Sequence, residues 1–190
     1  MINQDEAYLR EKWLEFWTME NHDRPLMCIY APKAGAVPAP VPAPQRLEDR
    51  WTDMDYIIAR GRENMKNTFY GGEAFPSLFA DLGPDLVGAV CGCGIEFGKN
   101  TSWAVHVVED WEKYPPIRFN PENPWWKRIY EMTRRLAEDA RGDYLVGMVD
   151  LHPGTDALVS LRGPQELCMD LFDCPEQLPP RIWEIFEVYK

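Results

Sequence analysis

One short segment of the chain, residues 150–156, places an imidazole between two carboxylates. It reads DLHPGTD, and its titratable side chains are Asp150, His152 and Asp156. A carboxylate beside a histidine orients the ring and raises its basicity, so such a group can transfer protons in catalysis. We therefore predict these three residues to be catalytic. The alternative is structural, with the two aspartates capping turns and the helix that follows.

Two further segments carry polar side chains where a strand is predicted to end. Tyr30 and Lys33 follow the first apolar run of the chain, and Glu96 follows the Gly-rich stretch 91–94. In a parallel α/β sheet, side chains just past the carboxyl ends of the strands line the ligand crevice. We therefore expect Tyr30, Lys33 and Glu96 to bind substrate.

The pair Cys91 and Cys93 is the feature that most suggests a metal site. Zinc sites usually combine two closely spaced pairs of ligands, and Cys168 and Cys174 are too far apart in sequence to supply the second pair. Buried thiols are the commoner role for such cysteines. We expect no metal ligands in this chain. GxGxxG, P-loop, GxSxG and HExxH motifs are also absent from the sequence.

The elements that must position these residues are predicted from periodicity and capping signals. The spacing of Asn3 and Glu6 indicates a capping box at the start of a first helix. Asn123 and Gly142 are suited to begin and end another. Apolar periodicity predicts the remaining helices. The predicted helices after the first one cover 47–69, 124–141, 164–170 and 180–189.

Strands are predicted where apolar residues run together. The segment 26–30 is typical of a buried strand, and 101–108 has the branched and aromatic composition of a strand. The segment 86–93 is either a strand or a short packed helix. A long helix that leads through a tight turn into the apolar run 144–149 indicates half of a βαβ repeat.

Composition narrows the class of protein. The chain has 190 residues, a mass of 22.1 kDa and a formal charge of −11, which disfavours nucleic acid and anionic membrane as partners. It has no apolar run of about 20 residues that would span a membrane, and its polar start does not resemble a signal peptide. Five cysteines at low density suit a reducing cytoplasm.

We therefore expect one cytoplasmic α/β domain over residues 1–190. Within it, the segment 36–44 has four prolines and must be extended. It is interpreted as a stiff surface connection, with a lid or partner-binding arm as the alternative.

Several of these segments together resemble a known family. They are DRPLMC at 23–28, GPD at 83–85, the strand containing Gly147, LRGPQEL at 161–167 and DLFDCPE at 170–176. The set is similar to the N-terminal half of the uroporphyrinogen decarboxylase family, which also includes corrinoid and coenzyme M methyltransferases.

The resemblance implies a (β/α)8 TIM-type barrel with its active site at the carboxyl ends of the strands. Such a barrel needs at least about 200 residues. We count three or four strands, so we expect its N-terminal part, incomplete within 190 residues and preceded by a helical extension. The partners expected are a small-molecule substrate and either a second copy of the chain or the missing C-terminal half.

The resemblance favours a methyltransferase-like or other small-molecule enzyme over a true decarboxylase. The decarboxylases carry two arginines after the first strand, where this chain has Lys33 alone. Their catalytic aspartate has no match in 88–94, and their tyrosine is replaced by Val159 or Ser160. Uroporphyrinogen decarboxylase activity is one alternative, and a non-enzymatic half-barrel that assembles with a partner is another. No cofactor is evident in this chain, although a corrinoid or zinc is compatible with the complete protein.

Overall fold

The computed structural model describes residues 6–190, so the predicted capping residue Asn3 lies outside the described residues. The described chain is a mixed α/β structure. Its helices are α1 Glu6–Trp17, α2 Leu47–Thr52, α3 Met54–Lys66, α4 Leu86–Cys91, α5 Pro124–Ala140, α6 Thr155–Arg162, α7 Pro164–Asp173 and α8 Leu178–Tyr189, and a 3-10 turn at Pro175–Gln177 precedes α8. None of the helices within residues 6–190 has both the length and the hydropathy needed to cross a membrane.

The strands of the described residues form three small sheets of two strands each. In the first, β1 Cys28–Pro32 pairs antiparallel with β2 Thr68–Gly72. In the second, β3 Ser77–Leu78 pairs parallel with β6 Leu145–Val146. In the third, β4 Gly94–Phe97 pairs antiparallel with β5 Ser102–Val105.

The chain divides into two compact units. Unit 1 comprises residues 1–44, 53–79 and 133–148, of which the structure describes all but the first five. Unit 2 comprises residues 45–52, 80–132 and 149–190. The expectation of one domain over 1–190 stays a prediction.

Unit 1 is organised around a buried carboxylate. The side chain of Glu73 is 1% exposed, and its oxygens accept hydrogen bonds from both terminal nitrogens of Arg24, at 2.9 and 2.5 Å. The Tyr8 hydroxyl and the Met27 backbone N–H also donate to it, at 3.1 and 3.0 Å. The Trp13 indole N–H donates to the Glu73 carbonyl at 3.1 Å. Glu73 therefore ties α1 and the segment before β1 to the end of β2.

Unit 2 has a helical core centred on α6. This helix packs against α4, α7 and α8, and the side chains of Ala157, Leu158 and Leu161 on it are buried. Because α6 has apolar contacts with three other helices, its position is set by tertiary packing and not by its own eight residues.

The carboxyl end of α6 is capped by the segment after β5. The carbonyl of Ser160 would ordinarily accept from residue 164, but Pro164 has no N–H. His106 Nδ1 lies 3.0 Å from that carbonyl oxygen and must carry the proton, because a carbonyl only accepts. The N–H groups of Val107 and Val108 donate to the next carbonyl, of Leu161, at 2.8 and 2.9 Å.

Most predicted helices are confirmed. The helix expected over 124–141 is α5, and Asn123 Oδ1 accepts from the N–H groups of Trp125 and Trp126 as a cap should, at 2.8 and 3.1 Å. The segment 86–93 resolves as a helix, α4. The last helix begins at Leu178 and not at Pro180, because proline fits the first turn of a helix.

Two predictions of secondary structure are wrong in part. The helix expected over 47–69 ends at Lys66, after a break at Asp53, and residues from Thr68 onward form β2. The strand expected over 26–30 begins at Cys28, and most of its side chains are exposed instead of buried. Antiparallel pairing with β1 draws residues 68–72 into β2. The side chains of β1 stay exposed because their burial requires packing on a face of the sheet, which hydrogen bonding at a strand edge does not supply.

β3 and β6 pair in parallel, and α5 directly precedes β6, but the connection between the two strands also contains α4, β4 and β5. The predicted βαβ repeat stays a prediction. Each strand of the pair has two residues, and the sheets of the described residues do not extend beyond two strands. The half-barrel stays a prediction.

Candidate acid–base site

The structure brings the three predicted catalytic residues together in unit 2. His152 Nε2 lies 2.8 Å from Asp150 Oδ1, and His152 Nδ1 lies 3.2 Å from Asp156 Oδ2. Each ring nitrogen thus faces its own carboxylate. The imidazole lies between two acceptors, and both of its N–H groups have a hydrogen-bond partner when the ring is protonated.

Local backbone chemistry places Asp156 next to the ring. Gly154 is the residue before α6 and has φ +69°, a left-handed conformation that favours glycine. No atom outside the turn lies within 4 Å of the position of a Cβ at Gly154, so only the backbone conformation makes glycine necessary. Asp156 lies in the first turn of α6, where a negative charge interacts favourably with the helix dipole.

The two carboxylates alter the proton affinity of the ring. The hydrogen bond to Asp156, and then the charge of Asp150, raise the pKa of His152 above its ordinary value of 6.5. The side chains of His152, Asp150 and Asp156 are 43%, 46% and 64% exposed. Solvent therefore screens the attraction between them, and a ligand can reach the ring from outside.

The arrangement is chemically suited to move a proton. In the protonated form the imidazolium can deliver a proton to a substrate atom that displaces one of the carboxylates, and the other carboxylate keeps the ring oriented. In the neutral form the ring can accept a proton. The residue that begins α6 is Gly154, so neither aspartate is its N-cap residue, and the alternative that the aspartates cap turns stays a prediction.

A second polar pair adjoins this cluster, and the sequence interpretation did not assign it to the site. The Ser160 hydroxyl donates to Asp85 Oδ1 at 2.6 Å and lies 3.0 Å from the backbone carbonyl oxygen of Asp156. Ser160 is 3% exposed. The sequence interpretation had no signal for this pair, because it predicted no helix over 155–162 and left 86–93 open between strand and helix.

Tyr30 and Lys33, predicted to bind substrate, lie in unit 1. Tyr30 is on β1, hydrogen-bonded to Cys28 and packed edge-to-face on Tyr70, with ring centroids 5.8 Å apart. Partial burial raises the pKa of Tyr30. Lys33 follows β1, and its backbone N–H donates to the carbonyl of Asn67 at 2.8 Å. Lys33 thus lies just past the end of β1, whereas Tyr30 lies in the middle of this strand, which is antiparallel to its partner and not parallel as expected. The binding role of both residues stays a prediction.

Glu96 belongs to unit 2 but not to the end of a buried strand. The segment before it forms α4, and Glu96 itself lies within β4, opposite Trp103 of β5. Its side chain is exposed and has no ion-pair or hydrogen-bond partner among the residues that the structure describes. The predicted position of Glu96 past a strand end is therefore wrong, because the Gly-rich stretch is helix and turn.

The next feature is the arrangement of the side chains that could bind a metal ion. Across residues 6–190, no group of three or more His, Cys, Asp or Glu side chains is placed to hold a metal ion. Cys91 and Cys93 are buried, and burial raises the pKa of both thiols to about 12, which disfavours the thiolate that zinc requires. The described residues therefore do not fit a zinc site.

Comparisons of the chain with models of protein families, with curated proteins and with solved structures found no match. The resemblance of residues 144–176 to the uroporphyrinogen decarboxylase family therefore stays a prediction.

Proposed function

We propose that this chain is part of an enzyme of the uroporphyrinogen decarboxylase superfamily, closer to its methyltransferases or other small-molecule enzymes than to the true decarboxylase. His152 is the acid–base residue of the proposed reaction. The observation that carries the proposal is the position of the imidazole between two carboxylates, 2.8 Å from Asp150 and 3.2 Å from Asp156.

Each residue of the cluster has its own part in the proposed chemistry. His152 holds the proton that is transferred, and its raised pKa keeps the ring protonated to a higher pH than a free histidine. The two aspartates orient the ring and stabilise its positive charge. Since all three side chains are partly exposed, a small molecule can approach without a large conformational change.

Two arginines of unit 2 are not free to bind an anionic substrate. A porphyrinogen carries many carboxylates and would need free cationic side chains near the reacting group. In unit 2, Arg162 is already paired with Asp170, and Arg181 donates to three backbone carbonyls and to Glu184. Both guanidinium groups thus hold the fold together and are engaged.

No chemical step is assigned to zinc, because the described residues do not fit a metal site, and none is assigned to a corrinoid. The proposed contribution of this chain is limited to substrate contact and proton transfer. We also propose a cytoplasmic location, which the five free cysteines support.

The proposal is tested by turnover of the complete protein with His152→Gln and the matched control His22→Gln. The two assays are methyl transfer from methylcobalamin to a thiol and decarboxylation of uroporphyrinogen. We expect methyl transfer in the wild type and in H22Q, and a loss of about 100-fold or more in H152Q. Turnover in neither assay would overturn the family proposal, and equal turnover in H152Q and H22Q would overturn the assignment of His152.

A second candidate function is a non-enzymatic half-barrel that assembles with a partner chain. The observation that favours it is the exposure of apolar side chains on the two-stranded sheets of unit 1, where Tyr30, Phe69 and Leu145 are each more than half exposed. Unpaired strand edges with apolar side chains promote association. Light scattering of the purified chain tests this function, and a monodisperse species of 22.1 kDa would count against it.

A further inference from the structure

We propose that the Pro-rich segment 34–44 of one copy of the chain docks on an aromatic face of a second copy. This aromatic face consists of Phe119, Trp126 and Tyr130 in unit 2, and the segment belongs to unit 1. Such an association goes beyond the proposed function and requires no catalytic activity.

The three rings of the aromatic face contact one another at the surface. Phe119, Trp126 and Tyr130 are 46%, 37% and 61% exposed. The ring centroids of Phe119 and Trp126 lie 5.3 Å apart with the ring planes at 83°, and those of Trp126 and Tyr130 lie 6.2 Å apart at 41°. Grouped exposed aromatic side chains are typical of binding surfaces, whereas scattered ones are ordinary.

The elements that carry these rings are fixed before any partner binds. Trp126 and Tyr130 lie four residues apart on α5 and therefore share a face of the helix. Phe119 follows the buried Ile117 closely, and the Ile117 N–H donates to Glu184 Oε2 at 3.0 Å. A surface that is already formed loses little conformational entropy when a partner binds.

The aromatic face also carries free hydrogen-bond donors. Within residues 6–190, neither the Trp126 indole N–H nor the Tyr130 hydroxyl has an acceptor. When such rings are covered, their N–H and O–H groups need acceptors, because a buried donor without one is destabilising. A partner that covers this face must therefore offer both apolar surface and unoccupied acceptors.

The segment 34–44 offers both. It reads AGAVPAPVPAP, it forms neither helix nor strand, and none of its residues is buried. Proline fixes its own φ and restricts the residue before it to extended conformations, so the alternating prolines from 38 to 44 favour a polyproline II helix. This helix has three residues per turn and no internal hydrogen bonds, so its carbonyls are free to accept. With a proline at every second position, each of its three sides presents a proline ring.

Bonds within unit 1 hold the segment at the surface. Ala36 N–H donates to the carbonyl of Lys33 at 3.0 Å. Ala39 N–H donates to Glu63 Oε1 on α3 at 2.6 Å. Val37, between these two anchors, is 87% exposed. The segment is therefore presented in a fixed form, and little conformational entropy remains to be lost when it binds.

The chemistry and the charge of the two surfaces are complementary. Polyproline II segments dock on surfaces lined by aromatic side chains. The chain has a formal charge of −11, so two copies repel each other unless they meet through uncharged surfaces. The segment 34–44 and the three rings carry no charge. Because every copy has both surfaces, a second copy supplies the segment without any other protein.

Sedimentation equilibrium of the full chain at increasing concentrations tests this contact. Tyr130→Ser removes one ring of the aromatic face, and Pro40→Ser/Pro42→Ser removes two proline rings of the segment. The matched control is Trp103→Ser, which removes an exposed ring on β5 outside the aromatic face. All these positions are exposed, so the variants should keep the fold.

We expect the average mass of the wild type and of W103S to rise above 22.1 kDa with concentration. Y130S and P40S/P42S should each associate about 10-fold more weakly, or not at all. An equimolar mixture of these two variants should associate more strongly than either alone, because one retains the segment and the other retains the aromatic face.

A wild type that stays at 22.1 kDa at every concentration would overturn the inference. Association that Y130S and P40S/P42S leave unchanged would also overturn it, as would an equal loss in W103S. None of these outcomes depends on turnover, so they leave the proposed role of His152 untouched.

A synthetic peptide AGAVPAPVPAP gives a direct measurement, which also decides the question should Y130S fail to fold. Added to P40S/P42S, whose aromatic face is intact, it should shift the indole N–H signal of Trp126 in NMR spectra. The same peptide with serine at positions 40 and 42 should shift this signal at least about 10-fold less at equal concentration. No shift with the first peptide, or equal shifts with both, would overturn the inference.

Discussion

Arg162 holds Asp170 through two parallel hydrogen bonds, with Nε 2.8 Å from Oδ2 and Nη2 2.9 Å from Oδ1. The Trp111 indole N–H also donates to this carboxylate, at 2.7 Å. The guanidinium further donates to the carbonyls of Val108 and Glu109 at 3.1 and 2.7 Å. Both members of the pair lie within residues 144–176, the part of the chain that carries the most specific family resemblance. Their part in the structure is to join α6, α7 and the segment after β5.

This pair predicts a large loss of stability when one partner is removed. Asp170→Asn should destabilise the chain by about 3–5 kcal/mol, because it leaves the guanidinium of Arg162 largely buried without its counter-charge. Urea unfolding measures the loss. The control is Asp173→Asn, an exposed position on the same helix, for which we expect a change within about 0.5 kcal/mol. Similar unfolding midpoints for the two variants would contradict the prediction.

Glu73 predicts a loss of stability at acidic pH. Its bonds from Arg24, together with those from Met27 and Tyr8, lower the pKa of Glu73 from 4.5 to about 2. A carboxylate with a lowered pKa stabilises the fold fully above pH 4.5, and this contribution is lost as the pH falls toward 2.

We therefore expect Glu73→Gln to lose about 2 kcal/mol at neutral pH, less than a fully buried pair because Arg24 is 36% exposed. The difference between variant and wild type should shrink as the pH falls below 4.5. Urea unfolding at several pH values checks this expectation. A difference that stays constant from neutral pH to pH 2 would show that Glu73 acts by shape and not by charge.

Features of the fold and the site that depend on residues close together in the sequence could be predicted, and features that depend on residues far apart in the sequence could not. Asp150, His152 and Asp156 could be grouped because they lie within the short segment 150–156. The helix start at Asn123 could be predicted from local capping rules. By contrast, Ser160 and Asp85 lie 75 positions apart, and their hydrogen bond depends on how α4 meets α6. The strand β2 was missed for the same reason, since its pairing with β1 outweighs the helical pattern that ends in Phe69.

The acid–base cluster predicts a pH dependence of stability that is opposite in sign to that of Glu73. The pKa of His152 is raised in the folded chain, so its contribution to stability is complete below pH 6.5 and is lost as the pH rises through the folded-state pKa. Thermal unfolding of wild type and His152→Gln at about pH 5.5 and about pH 8.5 measures this effect. The wild type should have the larger advantage over the variant at the lower pH. A larger advantage at the higher pH would contradict the direction of the shift.

Two helical glycines predict opposite tolerance to alanine. At Gly88 the new Cβ would meet Ser160 Cβ at 2.3 Å, and the two helices must separate to admit it. We expect Gly88→Ala to cost about 1–3 kcal/mol or more. At Gly61 the Cβ would meet only the side chain of Leu78, with Cδ2 at 2.7 Å and Cδ1 at 3.2 Å, and this side chain can move away more easily than a helix backbone. The helix propensity of alanine then offsets the contact, so Gly61→Ala should stay within about 1 kcal/mol of wild type. Equal losses in urea unfolding would show that the approach of α4 to α6 is looser than described.

Asn123 has two roles, as the cap of α5 and as a hydrogen-bond donor to α4, and substitutions at this residue can separate them. Its Oδ1 caps α5, and its Nδ2 donates to the carbonyls of Ala89 and Val90 at the end of α4, at 3.0 and 3.2 Å. Aspartate caps a helix as well as asparagine does, so Asn123→Asp would be neutral if capping were the only role.

We expect N123D to lose about 1–3 kcal/mol, because a carboxylate oxygen would then face two carbonyl oxygens that have lost their donor. Asn123→Ser retains a capping oxygen and removes the donor without the repulsion, so its loss should be smaller than that of N123D. Urea unfolding of both variants measures the difference. If N123D were as stable as the wild type, the bonds from Asn123 to α4 would contribute nothing measurable and the cap alone would account for this residue.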